Sequence, residues 1–173
     1  MISFILGTSN SGKSELAEKL AMESGDDKRY YIATMKIYDE AGRERVSRHR
    51  QQREGKGFVT IEKEYDIRGV LELIEKPEEA TVLLECVTNL VGNEMFENPV
   101  GKERIKTADE IAEDIKYVAG RVHNIIIVSN EYESDADTYD DATRNYIHLL
   151  DHVNKRISSF SDRVMDMRRG SGN

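Results

Sequence analysis

Residues 7–14 read Gly-Thr-Ser-Asn-Ser-Gly-Lys-Ser and satisfy the pattern G-x-x-x-x-G-K-[ST] without exception. A short apolar run, Ile2 to Leu6, precedes the octet, and apolar residues at Leu16, Ala17, Leu20 and Ala21 follow it at helical spacing. That context, strand then tight loop then helix, is what a phosphate-gripping loop requires. Glycines let the backbone turn sharply, so that N–H groups across Gly7, Thr8, Ser9, Asn10, Ser11 and Gly12 converge on phosphate oxygens. Lys13 reaches the outer phosphates as a point charge, and the Ser14 hydroxyl can ligate Mg²⁺. The positive end of the following helix adds to the same site. A random chain of this length matches the octet with a probability on the order of one percent or less. Nucleotide binding is therefore expected, although such loops serve many reactions.

The rest of the chain repeats the alternation. Strand-like runs lie at Tyr30 to Ala33, Phe58 to Ile61, Thr81 to Leu84 and Ile125 to Val128, with a further short one at Arg163 to Met167. Helical patterns lie between them, at Asp39 to Arg53, Ile67 to Ile74, Thr107 to Val122 and Asp140 to Phe160. Thr107 is placed as an N-cap with Glu110 at the capping-box position. Residues 98–106 read as a surface loop. No repeat or linker divides the sequence, so residues 1–173 are expected to form one P-loop NTPase-like α/β domain. Its sheet should be mostly parallel, with helices on both faces.

A net charge of -8 argues against nucleic acid as a partner, so cationic groups that handle phosphate must be concentrated locally. The single cysteine, Cys86, fits a reducing compartment. No apolar run approaches the roughly 20 residues that span a bilayer, and the start of the chain lacks the features of a signal peptide. A cytoplasmic location away from membranes is expected.

The local positive charge lies at residues 43–53, Arg-Glu-Arg-Val-Ser-Arg-His-Arg-Gln-Gln-Arg. On a helix, Arg45, His49 and Arg53 share one face. Neighbouring guanidinium groups disfavour a second charge on the imidazole, and neutral imidazole is a nucleophile. The pattern suits covalent attack on a nucleotide phosphorus, but periodicity alone favours a solvated basic helix that happens to contain one histidine. His123, His148 and His152 read as surface or packing residues. Glu85 ends an apolar strand, where an acid can orient Mg²⁺ or contact a nucleotide, and Glu131 ends another.

Four stretches together resemble the bifunctional adenosylcobinamide kinase / adenosylcobinamide-phosphate guanylyltransferase family of cobalamin biosynthesis. They are the octet at 7–14, then Tyr31-Ile-Ala-Thr34 with Asp39-Glu40 and Arg48-His49-Arg50, then residues 82–93, and finally Ile126-Ile-Val-Ser-Asn-Glu131. The resemblance implies phosphorylation of adenosylcobinamide by ATP or GTP. It further implies GMP transfer from GTP to the resulting phosphate through a guanylylated histidine, giving adenosylcobinamide-GDP. His49 falls on the nucleophile position, with Lys13 as its catalytic companion. Ala33, Thr34, Met35, Arg50, Gln51, Gln52, Arg53, Glu62 and Glu85 fall on nucleotide-contacting segments, with Ser14 and Glu85 toward Mg²⁺. Homotrimers are implied.

The chain departs from the family pattern after Glu131. An acidic run, Tyr132 to Asp140, stands where relatives carry Val-Gly and a Gly-Ile-Val-Pro stretch, and Val164 to Gly170 replaces an apolar final strand. Two other readings stand beside the bifunctional enzyme. One is a P-loop small-molecule kinase without the covalent step, and the other a nucleotide-sensing binding module.

Overall fold

The computed structural model describes residues 1–96, 106–132 and 138–168. Among these residues six strands form one sheet: β1 (Ile2–Gly7), β2 (Lys28–Ala33), β3 (Phe58–Glu62), β4 (Ala80–Glu85), β5 (Asn124–Asn130) and β6 (Arg163–Asp166). Their spatial order is β3-β2-β4-β5-β1-β6, and each neighbouring pair is parallel. Five α-helices among the described residues accompany them: α1 (Lys13–Glu23), α2 (Glu40–Arg53), α3 (Val87–Phe96), α4 (Ala108–Ala119) and α5 (Asp141–Phe160). The expected α/β architecture is present, and the described sheet is wholly parallel.

Strand residues alternate between two cores because side chains in a strand alternate in direction. Ile5, Tyr31, Leu83, Ile126 and Val128 pack with Ala17 and Ala21 of α1 on one face. Phe4, Ile32, Val82, Leu84, Ile125 and Ile127 face the other way, against α3, α4 and α5. Both faces being covered accounts for the near-continuous apolar strands. Glu85, Asn130 and Gly7 lie at the C-terminal ends of adjacent strands, with Gly7 beside Asn130 in register. In parallel α/β sheets this is the edge where ligands gather.

Local signals account for several helix ends. Thr107 caps α4 through a complete capping box with Glu110. Asp39 accepts from Gly42 N at the start of α2, and Asp140 from Thr143 N at the start of α5. Two elements differ from expectation. Where an α-helix is expected over residues 67–74, the structure has a short 3₁₀ helix, Ile67–Glu72. Helix α3 was not anticipated, because Val87, Thr88, Leu90, Val91, Asn93 and Glu94 are all buried and leave no polar stripe to reveal a helical period. The loop expected at 98–106 lies, except for Lys106, outside the described residues, as do 133–137 of the acidic run and the end of the chain from 169.

Candidate active site

The phosphate loop joins β1 to α1 and owes its path to its glycines. Gly12 has φ +83°, a left-handed conformation that side chains rarely adopt. A Cβ on Gly7 would lie 2.8 Å from Ser11 Oγ and 3.1 Å from Met167 Cβ, so the loop is closed tightly on itself and on the segment after β6. Thr8, Ser9 and Asn10 are exposed at the mouth, with Ser11 half-buried. Lys13 is only 7% exposed. Its Nζ donates to the Thr8 carbonyl inside the loop. Burial lowers the pKa of this ammonium, with the Glu85 carboxylate opposing the shift.

Glu85 ends β4 and meets the loop from two strands away. Ser14 Oγ donates to Glu85 Oε1 at 2.9 Å, while Glu85 Oε2 is buried without a hydrogen-bond partner. Burial pushes the Glu85 carboxyl up to about 7, against the pull of Ser14 and Lys13. A hydroxyl beside a carboxylate with an orphaned buried oxygen is a donor set that suits a hard cation such as Mg²⁺.

Ala33, Thr34 and Met35 lie where β2 ends beside β4. Thr34 is fully buried, and its hydroxyl donates to Cys86 O and accepts from Cys86 N, each at 2.8 Å. Asn93 Nδ2 donates to the Thr34 carbonyl at 2.8 Å. Thr34 therefore ties two strand ends together, while Ala33 and Met35 are half-buried around it.

Helix α2 carries most of the remaining site residues, and almost nothing apolar holds it. Arg53 is its one buried residue. The Arg53 guanidinium lies 3.5 Å from the Tyr31 ring centroid, a stacked cation–π contact, with Thr60 Oγ1 at 3.4 Å. Arg50 forms an ion pair with Glu62, joining two predicted site residues. Gln51 and Gln52 are exposed. Arg50, Gln51 and Arg53 border an open groove of about 660 Å³ with Phe58 and Thr60. His49 is half-buried, and its pKa is lowered first by burial and then by the charges of Arg53 and Arg45. Glu18 opposes that shift.

Glu18 was not anticipated from the sequence. It is buried on α1, four residues after Ser14, and forms an ion pair with Lys56 just beyond α2. The helix bearing His49 is thereby fastened to the helix that begins in the phosphate loop. Helical spacing from Ser14 was the available signal. Met167, which packs on the loop, and Arg168, which pairs with Glu131, had no such signal. Glu131, with one carboxylate oxygen on Arg168 at 2.7 Å, contacts the loop through its backbone N–H to Gly7 O at 3.0 Å.

A family described as cobinamide kinase / cobinamide phosphate guanyltransferase, CobU, matches residues 3–172. The chain belongs to this family. It is by that membership an enzyme of cobalamin biosynthesis, of the kinase and guanylyltransferase type. Among relatives of this family, the bifunctional adenosylcobalamin biosynthesis protein CobU of Escherichia coli (strain K12) is 26% identical over 181 residues, covering 99% of this chain and 98% of its own. The bifunctional adenosylcobalamin biosynthesis protein CobP of Pseudomonas aeruginosa (strain PAO1) is 31% identical over 166 residues, covering 95% and 91%. Among solved structures, the flagellar accessory protein FlaH from Methanocaldococcus jannaschii aligns with a TM-score of 0.44 at 13% identity, over 86% of this chain and 67% of that one. The RadB recombinase aligns with a TM-score of 0.43 at 17% identity, over 84% and 70%. Among the described residues no helix is long and apolar enough to cross a membrane.

Proposed function

We propose that this cobinamide kinase / guanyltransferase family member phosphorylates adenosylcobinamide and then transfers GMP from GTP to the phosphate through a covalent guanylyl-His49 intermediate. One observation carries the reading. A half-buried histidine with a disfavoured charged form stands on a helix fastened, through Lys56 and Glu18, to the helix of the phosphate loop.

In the guanylyl step, the lone pair of neutral His49 attacks the α-phosphorus of GTP. A nitrogen–phosphorus bond forms, the bond to the bridging oxygen breaks, and pyrophosphate leaves with that electron pair. An oxygen of adenosylcobinamide phosphate then attacks the same phosphorus, and the nitrogen–phosphorus bond returns its electrons to the imidazole. Lys13 and the loop N–H groups at 7–12 hold the outer phosphates while charge moves onto them. Arg50 and Arg53 hold anionic oxygens nearer the histidine, with Gln51, Gln52, Glu62, Ala33, Thr34 and Met35 around the nucleoside. Ser14 and Glu85 would hold Mg²⁺, which supplies charge neutralisation on the phosphates when bound. In the kinase step the substrate alcohol oxygen attacks the γ-phosphorus of ATP or GTP, the nucleoside diphosphate departs with the electron pair of the broken phosphorus–oxygen bond, and the alcohol proton is released to water. The reading carries a cytoplasmic enzyme that assembles as a homotrimer.

Incubation with GTP labelled at the α-phosphorus tests it. The wild-type chain should acquire acid-labile, base-stable label, and His49→Ala should acquire none. A folded wild-type sample that takes no label contradicts the covalent step and leaves a kinase alone.

A further inference from the structure

A second concavity opens on the same sheet edge. It lies between the segment after β2, helix α3 and the start of α5, encloses about 390 Å³, and is lined by Tyr38, Asn89, Gly92, Phe96, Thr143 and Tyr146 among others. We infer that this cleft is the acceptor site, which takes one edge of a large, flat, conjugated ring bearing amide arms. The inference rests on the function proposed above and adds to it where the corrinoid body sits.

Its position follows from the sheet. Asn130 lies beside Gly7 in register, and Asn130 N donates to Thr88 Oγ1 at 2.9 Å on the cleft wall. Two hydrogen-bonded steps thus separate the phosphate loop from the cleft. Among the described residues the other approaches are occupied. Met167 packs against Gly7 on the β6 side, and the α2 side carries His49 with the arginines assigned to the nucleotide. Among the described residues, the body of an acceptor whose arm reaches the phosphates has the ends of β4 and β5 left to lie against.

The lining suits such a ligand. Tyr38 is 65% exposed and Phe96 is 47% exposed, and both rings open onto this one cleft. Phe96 and Tyr146 meet edge to face, with centroids 5.7 Å apart. Tyr146 is fixed by donation from its hydroxyl to Thr88 O at 2.8 Å. Aromatic walls with the Asn89 amide and Thr143 hydroxyl among the lining match an apolar ring edge carrying amides. Gly92 forms part of the floor in mid-helix, where glycine costs helix stability. The fold does not demand it, since a Cβ there would meet only Tyr146 Cε2 at an ordinary 3.8 Å. Its effect is to keep the floor open.

Equilibrium dialysis against adenosylcobinamide, followed by its visible absorbance, tests the assignment alongside His49 labelling from GTP alone. The variants are Gly92→Leu, which fills the cleft, and the surface pair Tyr38→Ala with Phe96→Ala. Both should weaken adenosylcobinamide binding tenfold or more while labelling stays within twofold of wild type. Wild-type binding retained in labelling-competent Gly92→Leu overturns the cleft assignment alone. A wild-type chain that neither takes label nor binds adenosylcobinamide overturns the underlying function, and the assignment with it.

Discussion

Ser14 and Glu85 are 71 positions apart in sequence, yet Ser14 Oγ donates to Glu85 Oε1 at 2.9 Å, joining the phosphate loop to the end of β4. The second Glu85 oxygen is buried without a partner, so the carboxylate carries a desolvation cost that a bound cation would offset.

Replacement of Glu85 by Gln should therefore separate stability from activity. In the nucleotide-free protein the folded chain keeps the Glu85 proton up to about pH 7, whereas the unfolded chain releases it near 4.5. The carboxyl's contribution to stability thus falls as pH rises from about 4.5 to about 7 and is flat above. Glu85→Gln should raise the Tm at pH 8 by an amount corresponding to about 1–3 kcal/mol, with little gain at pH 5. Turnover should drop by about 100-fold or more. Calorimetry at the two pH values, with steady-state assays, checks both effects.

The His49 environment sets the pH dependence of labelling. Burial and the charges of Arg53 and Arg45 lower its pKa below the ordinary 6.5, so the nucleophilic neutral form dominates before pH 6.5 is reached. The single-turnover labelling rate should rise with pH to a plateau, with its midpoint below 6.5. Arg45→Gln should move the midpoint upward by removing one like charge. A wild-type midpoint above 6.5 contradicts the assignment.

Arg53 is placed by its stack on Tyr31 as well as by its charge. A lysine keeps the charge but not the planar contact, so Arg53→Lys should cost about 1 kcal/mol. The corresponding fall in Tm is about 2–4 °C for a domain of this size. Labelling should slow by more than this stability loss implies, because the end of α2 loses its one buried anchor. Thermal melts and rapid-quench labelling, run in parallel, check it.

Lys13 should be required for both chemical steps. Lys13→Ala removes the outer-phosphate charge, and labelling and kinase turnover should each fall by about 100-fold or more. Retained turnover in either assay would mean that the phosphate grip lies elsewhere.

Much of this site could be read from the chain, because its parts are local. The octet at 7–14 and the Thr107–Glu110 capping box are short patterns with direct structural causes. The arginine-flanked His49 is also local, since helical spacing alone places Arg45 and Arg53 on its face. Other features depend on the sheet order. Arg50 meets Glu62 only because β3 lies beside β2 at the sheet edge, and Met167 reaches the loop only because β6 pairs with β1. Helix α3 leaves no amphipathic signature in the sequence because a helix buried on most sides has no polar stripe. The 3₁₀ turn at Ile67–Glu72 is as apolar as an α-helix of that length, and periodicity does not separate the two.

The central claim is that one nitrogen of His49 carries GMP during turnover. Digestion of the protein after brief exposure to GTP, kept at alkaline pH, followed by site-resolved mass spectrometry, tests it most directly. A single GMP adduct on His49, cleared by adenosylcobinamide phosphate with formation of adenosylcobinamide-GDP, is the predicted result. An adduct on another residue, or product formed while His49 stays unmodified in every quenched sample, would contradict it.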